Sequence, residues 1–371
     1  MEPTMNSQHK RSPVLNAPYD IRRAILLNLL PQEIHIYIDH YTKRLCMTPC
    51  VLRKCPGSDQ DTGFDRRDTG KFDNDPMWAK RLNSSWGPHW TCEEVAQSEL
   101  RDIKGVKKSC YAFLALMRMC KQMFNDIVDL LRHETTFYVT DFRILDSLTT
   151  PGILWKIRRL SLIIRLPLLL CKAMEDMEEA RIANASTPAF SEERIELGMR
   201  TIAWMKVSSP LTRLQKLRIL DIWIDHNDKQ SWSIIHERAV LRPLEPLLEV
   251  PELQMVINLP KLHPRWEMKS KGWFYGEDGK PSRFRICRRR RQEFHAEKDE
   301  LDRLTCVTLE ADFPSMRDWP EFEGLTEEEL EEKEGRLWRE GKLGHVSPRQ
   351  WPDNETLESS IRFRPSFASN V

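Results

Sequence analysis

The sequence predicts an α+β chain: a head of helices and short strands, an irregular α/β layer, and a charged tail with one surface helix. Three observations lead there. Two N-terminal stretches carry apolar residues at spacings of three and four, several short runs alternate apolar with polar residues, and beyond Pro264 charge displaces both patterns.

The first element is a helix from Pro18 to Leu30. Proline suits a first helical turn, Asp20 sits at the positive end of the dipole, and Ile21, Ile25 and Leu29 recur at every fourth residue. Pro31 ends it. Ile34, Ile36 and Ile38 then alternate with His35, Tyr37 and Asp39, which predicts a half-buried strand. From Lys54 to Trp90 no apolar period is sustained, so residues 54–90 are expected to form a mobile insertion anchored at Trp78, Trp86 and Trp90.

The strongest periodicity lies between Lys108 and Arg132, where Phe113, Leu116, Met117, Cys120, Phe124, Ile127 and Leu131 trace one face of a buried helix. Burying about seven such side chains stabilises the fold by on the order of 10 kcal/mol before chain entropy is subtracted. A charge at Cys120 or Ile127 is therefore expected to unfold the region. The β-branched and aromatic run from Thr135 to Thr140 reads as a strand.

Past Pro151 one theme recurs. Leu160, Leu162 and Ile164 recur at every second residue, then Leu220, Ile222 and Ile224, then Leu253, Met255 and Ile257, with helical patterns in between. Strands separated by helices imply parallel β-α-β units. The intervals, 60 residues from Leu160 to Leu220 and 33 from Leu220 to Leu253, are unequal, so the layer resembles leucine-rich repeats loosely; a small mixed sheet without repeat ancestry accounts for it equally.

After Pro264, Trp273 to Tyr275 and Phe284 to Ile286 flank a turn-rich stretch and are expected to pair as a hairpin. Thr326 and Glu329 form a T-x-x-E capping box ahead of a charged surface helix that docks through Leu330 and Leu337. The residues from Gly344 onward are expected to be disordered. The organisation read from these patterns is a head over 13–150, a layer over 151–264 and a tail over 265–371.

Composition narrows the function classes. Of 371 residues, 57 are Lys or Arg and 56 Asp or Glu, a net charge of +1, so any electrostatic attraction to nucleic acid or membrane must be local. Glycine is scarce at 14, and neither G-x-G-x-x-G nor G-x-x-x-x-G-K-[ST] occurs. Met1 to Pro13 lacks the apolar core of a secretory signal, and the longest apolar stretch, Leu160 to Cys171, is interrupted by Arg165 and Pro167. Nine cysteines without a framework spacing fit a reducing compartment, hence a cytoplasmic or nuclear protein without a membrane anchor.

Candidate chemistry is sparse. Cys46, Cys50 and Cys55, with His35 and His40 upstream, are the one grouping with metal-ligand residue types, but they lack the paired C-x2-C of common zinc sites. His35 and His40 also fall on opposite faces of a strand. Asp221 and Asp225 offer a pair of carboxylates for acid and base work, but read more simply as charges at a strand edge or its end. No catalytic residue, cofactor or metal ligand is assigned. The run Arg288, Arg289, Arg290 and Arg291 has three physical uses: contact with phosphates, a nuclear-import signal, or a solvated face paired with Glu293, Glu297 and the acidic stretch Glu327 to Glu334.

Two segments carry a family resemblance. Ala17-Pro18-Tyr19-Asp20-Ile21-Arg22-Arg23-Ala24-Ile25 through Leu30 resembles an L-P-x-E-I-R-x-x-I opening. Cys120-Lys121-Gln122-Met123-Phe124-Asn125-Asp126, then Leu130-Leu131 and Thr136-Phe137, is similar to C-R-Q-I-Y-x-E, L-L and T-F. Together they resemble a fungal family of uncharacterised proteins with an F-box-like head. The resemblance implies F-box-like helices with short strands, and a helical surface through Pro18, Ile21, Ile25 and Leu29 open to the Skp-type adaptor of a cullin ubiquitin ligase. The expected function is a non-enzymatic intracellular protein-protein interaction module, with a nuclear or nucleic-acid accessory protein using the arginine run as the alternative. The stripes beginning at Ile21 and Phe113 are expected to collapse onto each other.

Overall fold

A computed structural model describes residues 13–39, 43–52, 76–100, 115–149, 156–184, 195–266, 273–274, 284–292, 294–298, 304–309, 312–316 and 319–343. The chain divides into two compact units, Met1–Phe313 and Pro314–Val371.

The first unit is mixed α/β. Its elements run α1 (Tyr19–Leu29), β1 (Glu33–Ile38), β2 (Leu45–Pro49), α2 (Pro76–Leu82), α3 (Trp90–Leu100), α4 (Lys121–His133), β3 (Thr136–Val139), β4 (Arg159–Leu166), α5 (Leu168–Ile182), α6 (Ile195–Met205), α7 (Ser208–Arg213), β5 (Ile219–His226), α8 (Glu237–Leu241), β6 (Gln254–Pro260) and β7 (Arg285–Arg289). The strands form one sheet in the order β2-β1-β3-β4-β5-β6-β7, parallel throughout except for the β1–β2 hairpin. A separate antiparallel pair, β8 (Phe294–Lys298) and β9 (Leu304–Leu309), follows.

The alternating trios fall where their pattern predicts. Leu160 lies opposite Leu220 and Leu220 opposite Met255, while Leu162, Ile222 and Ile257 align in the next row. Because side chains alternate across a strand, register fixes two chemically different faces. One carries Ile34, Ile36, Phe137, Leu162, Ile222 and Ile257, and it packs in one core with α1, α4, α5, α6, α7 and α8 through residues such as Leu26, Ile127, Leu170, Trp204, Leu211 and Val240. Glu33, His35, Tyr37, Tyr138, Arg165, Trp223 and Asp225 occupy the other face by the same alternation.

Several expectations are corrected. Helix α1 spans the predicted stretch, but Leu26 and Leu30 enter the core while Ile21, Ile25 and Leu29 face water. The reason is polar: Arg22 binds Asp126 at 2.7 Å, Arg23 binds Glu134 at 2.5 Å and Tyr19 donates to Asp129 at 2.8 Å, which pins the row Arg22-Leu26-Leu30 toward α4. The predicted helix from Lys108 is interrupted at Cys120, whose backbone is extended (φ −163°, ψ 164°) and whose Sγ caps α4 by accepting from Met123 N. Phe124 lies on the outer side and Met123 on the inner; Phe113 lies outside the described residues.

The stretch expected to be a mobile insertion carries α2, a 3₁₀ turn over Gly87–His89 and the start of α3 from Pro76 on; residues 53–75 lie outside the described ones. The predicted hairpin does not form at Phe284–Ile286, since β7 pairs in parallel with β6, and Ile257 lies opposite Ile286. Boundaries at 150 and 264 cut between adjacent strands of one sheet; the compact unit ends at Phe313.

In the second unit, α9 (Glu327–Arg339) opens with the predicted capping box, Thr326 and Glu329 bonding reciprocally. Leu330 is buried with Met316, Phe322 and Leu343, and Leu337 is partly buried beside them. Glu334 is wholly buried and accepts from Ser315 N, Met316 N and Trp338 Nε1, so its charge is satisfied by donors within the unit.

Candidate metal centre

On the polar face of the sheet, four metal-ligand residues meet. His35 projects from β1, Cys50 follows the last residue of β2, His89 closes the 3₁₀ turn, and Cys92 lies in the first turn of α3. Their ligand atoms all lie within 4.8 Å of one another. Cys50 Sγ is 3.7 Å from Cys92 Sγ and 3.4 Å from His89 Nδ1, and Cys92 Sγ is 3.9 Å from His89 Nδ1.

The hairpin supplies half of the set. Glu33 O accepts from Cys50 N at 2.9 Å, which continues the ladder one residue past β2 and puts Cys50 on the same face as His35. The 3₁₀ turn supplies the rest. Gly87 adopts φ +53°, and a Cβ there would lie 3.2 Å from both Ile163 Cγ2 and the Trp223 ring, so glycine lets the turn descend onto β4 and β5.

Aromatic rings enclose the cluster. Trp86 and Tyr138 stack on His35 at centroid distances of 4.8 and 5.0 Å, His89 meets Tyr138 at 4.7 Å, and Tyr37 leans on Trp86. His35 is fully buried, and neither of its ring nitrogens has a hydrogen-bond partner among the described residues. Burial holds His35 below the ordinary imidazole range, toward the neutral form that ligates metals. Within the thiol pair, the hydrogen bond from Cys50 pulls Cys92 toward thiolate, helped by the two imidazoles.

The structure thus joins His35 and Cys50 from the grouping read in the sequence with His89 and Cys92, which that reading missed. Cys46 pairs with Tyr37 further along the hairpin, and Cys55 and His40 lie outside the described residues. The available signal is His89-Trp90-Thr91-Cys92, an H-x2-C at a helix start that straddles the end of the stretch expected to be an insertion, 54–90.

A cleft of about 710 Å³ adjoins the cluster, lined in part by Tyr37, Trp86, Asp141, Arg143, Arg165 and Arg200 at the carboxyl ends of β1, β3 and β4. Its charges are tied to neighbours: Arg143 forks onto Asp141, and Arg165 reaches Leu82 O and Gln292.

The arginine run turns inward. Arg288 binds buried Glu237 at 2.9 Å; Arg289 lies 3.9 Å from the Trp223 ring centroid and donates to Ile224 O; Arg291 donates to Asp225 and to the Gln230 and Asp228 carbonyls. These side chains are paired within the chain, with Asp225 and Glu237, and Arg289 and Arg291 are buried where the reading expected a solvated face; Glu293 and the side chain of Glu297 lie outside the described residues. Arg290 is half-buried beside them. Asp221 accepts from Asn258 at 2.5 Å, apart from Asp225, so the two carboxylates form no pair. Pro18, Ile21, Ile25 and Leu29 are all exposed on α1.

Residues 7–276 match a family described as a domain of unknown function, DUF7730. The chain belongs to DUF7730. No curated protein and no solved structure matches it. The DUF7730 region contains all four cluster residues and Gly87, and it stops before β7 and its arginines.

Proposed function

We propose that this DUF7730 chain is a non-enzymatic protein-interaction module that presents the outer row of α1 to a protein partner. One observation carries the reading. Ile21 and Leu29 are 53% and 60% exposed on a helix whose opposite row is buried, and with Pro18 and Ile25 they form a continuous apolar strip. Apolar side chains aligned at i, i+4 and i+8 are what a groove on a partner reads.

The resemblance to an F-box-like head makes a Skp-type adaptor of a cullin ubiquitin ligase the partner to test first. The inward pairing of Arg288, Arg289 and Arg291 weighs against the nucleic-acid alternative, because guanidinium groups bound to buried carboxylates are not presented to phosphates. The test is co-precipitation of the full chain with a recombinant Skp-type adaptor. Wild type is expected to retain it and Ile21→Asp/Leu29→Asp to lose it at an unchanged melting temperature. A wild type that retains no adaptor removes the ubiquitin-ligase form of the reading.

A further inference from the structure

We propose that His35, Cys50, His89 and Cys92 together bind one Zn²⁺ ion as a closed structural site. Geometry comes first. In tetrahedral zinc sites sulfur lies about 2.3 Å and nitrogen about 2.0 to 2.1 Å from the ion, so two sulfurs stand about 3.8 Å apart and a sulfur and a nitrogen about 3.6 Å. The observed 3.7 Å between the sulfurs, with 3.4 and 3.9 Å from His89 Nδ1 to each, brackets those edges. A disulfide needs sulfurs about 2.05 Å apart, against the 3.7 Å observed, and would engage neither ring nitrogen of His35, neither of which has a hydrogen-bond partner among the described residues.

Charge gives the second argument. A doubly positive ion bound by two thiolates and two neutral imidazoles is a net neutral unit, the form that an aromatic cage of Trp86, Tyr138 and Tyr37 accommodates without an unpaired charge. Binding releases the two thiol protons to solvent, and no electron moves. Two soft sulfurs with two imidazoles, all four ligand atoms within 4.8 Å of one another, suit Zn²⁺ and do not suit Mg²⁺ or Ca²⁺, which take oxygen ligands.

All four coordination positions are filled by the chain, so the ion's work is to fasten elements. His35 and Cys50 belong to the β1–β2 hairpin; His89 and Cys92 belong to the segment that lies across its polar face. The ion ties that segment to the sheet, whereas no partner for α1 enters the argument; failure of the adaptor test above leaves this inference standing.

The full chain, purified under reducing conditions without chelator, is expected to carry zinc at a ratio of about one per chain by elemental mass spectrometry. Cys92→Ser and His89→Ala are expected to lose it, and Cys287→Ser, outside the cluster, to keep it. Because a ligand variant that unfolds also loses zinc, cobalt titration of metal-free wild type is the deciding measurement. Intense ligand-field bands of tetrahedral Co²⁺, with thiolate charge transfer abolished in Cys50→Ser, support the site. Absence of those bands, equal zinc loss in Cys287→Ser, or a zinc-free chain carrying a Cys50–Cys92 disulfide overturns it.

Discussion

Arg291 Nε donates to Asp225 Oδ1 at 2.8 Å, and each side chain is 2% exposed, so a strand-end carboxylate and the last residue of the arginine run form a buried ion pair. Arg289 shares the same carboxylate at 3.3 Å. Removing one member of such a pair strands buried charge, which costs about 3 to 5 kcal/mol. Asp225→Asn is expected to lower unfolding free energy by that amount in chemical denaturation. A cost within about 0.5 kcal/mol, the range for surface substitutions, contradicts the burial.

The same cluster sets an acid limit. Burial opposes ionisation of Asp225, but Arg291 and Arg289 outweigh it and hold its carboxyl below the unfolded value of about 3.9. Its contribution is therefore present above that pH and lost as pH falls toward the folded value. His226 and His295 are held below the unfolded imidazole value of about 6.5, by burial first and by Arg291 second. The unfolded chain takes up their protons first, so stability declines as pH falls through about 6.5. Thermal melts across that range are expected to show the decline and His226→Gln to reduce its slope. An unchanged slope in the variant assigns the decline to other groups.

Gly87→Ala is expected to destabilise by about 1 to 3 kcal/mol, from the positive φ and from contact with Ile163 and Trp223. If that turn positions His89, the variant also binds cobalt more weakly. Full stability and unchanged cobalt binding are inconsistent with the close approach.

On α1 the two rows separate by stability. Leu26→Ala is expected to cost about 2 to 5 kcal/mol, and Ile21→Ala to stay within about 0.5 kcal/mol. Equal costs in urea denaturation indicate that the helix is rotated from the orientation described.

In the second unit, Thr326→Ala removes the reciprocal cap and is expected to cost about 1 kcal/mol. Hydrogen exchange at the first-turn amides of α9 reports it locally; unaltered exchange there rules the cap unimportant.

Period-two alternation revealed β1, β4, β5 and β6 because register on a sheet leaves a direct trace in sequence, and the β-branched and aromatic run at Thr135 to Thr140 revealed β3. Helix rotation was less legible. Ile21, Ile25 and Leu29 and the offset row Arg22, Leu26 and Leu30 both recur at spacing four, and the choice is made by Asp126 and Glu134, more than a hundred residues away. Hydrophobicity favoured the wrong row. The metal-type cluster was half visible, since His35 and Cys50 belong to one hairpin, whereas His89 and Cys92 reach it only through a turn that Gly87 permits. The arginine run drew attention as a surface feature because linear charge density carries no record of the carboxylates behind it.

The strand order has a temporal consequence. From β4 onward each strand lies beside the one that preceded it, so the sheet then lengthens from one side only and in the direction of synthesis. A nascent chain can dock each new strand on a finished neighbour without waiting for its own end to emerge, as N-terminal-first folding favours. Ribosome-bound fragments ending after successive strands would then gain protease resistance in steps, and the buried ion pair of Asp225 would be the latch that only closes when the last arginines leave the exit tunnel.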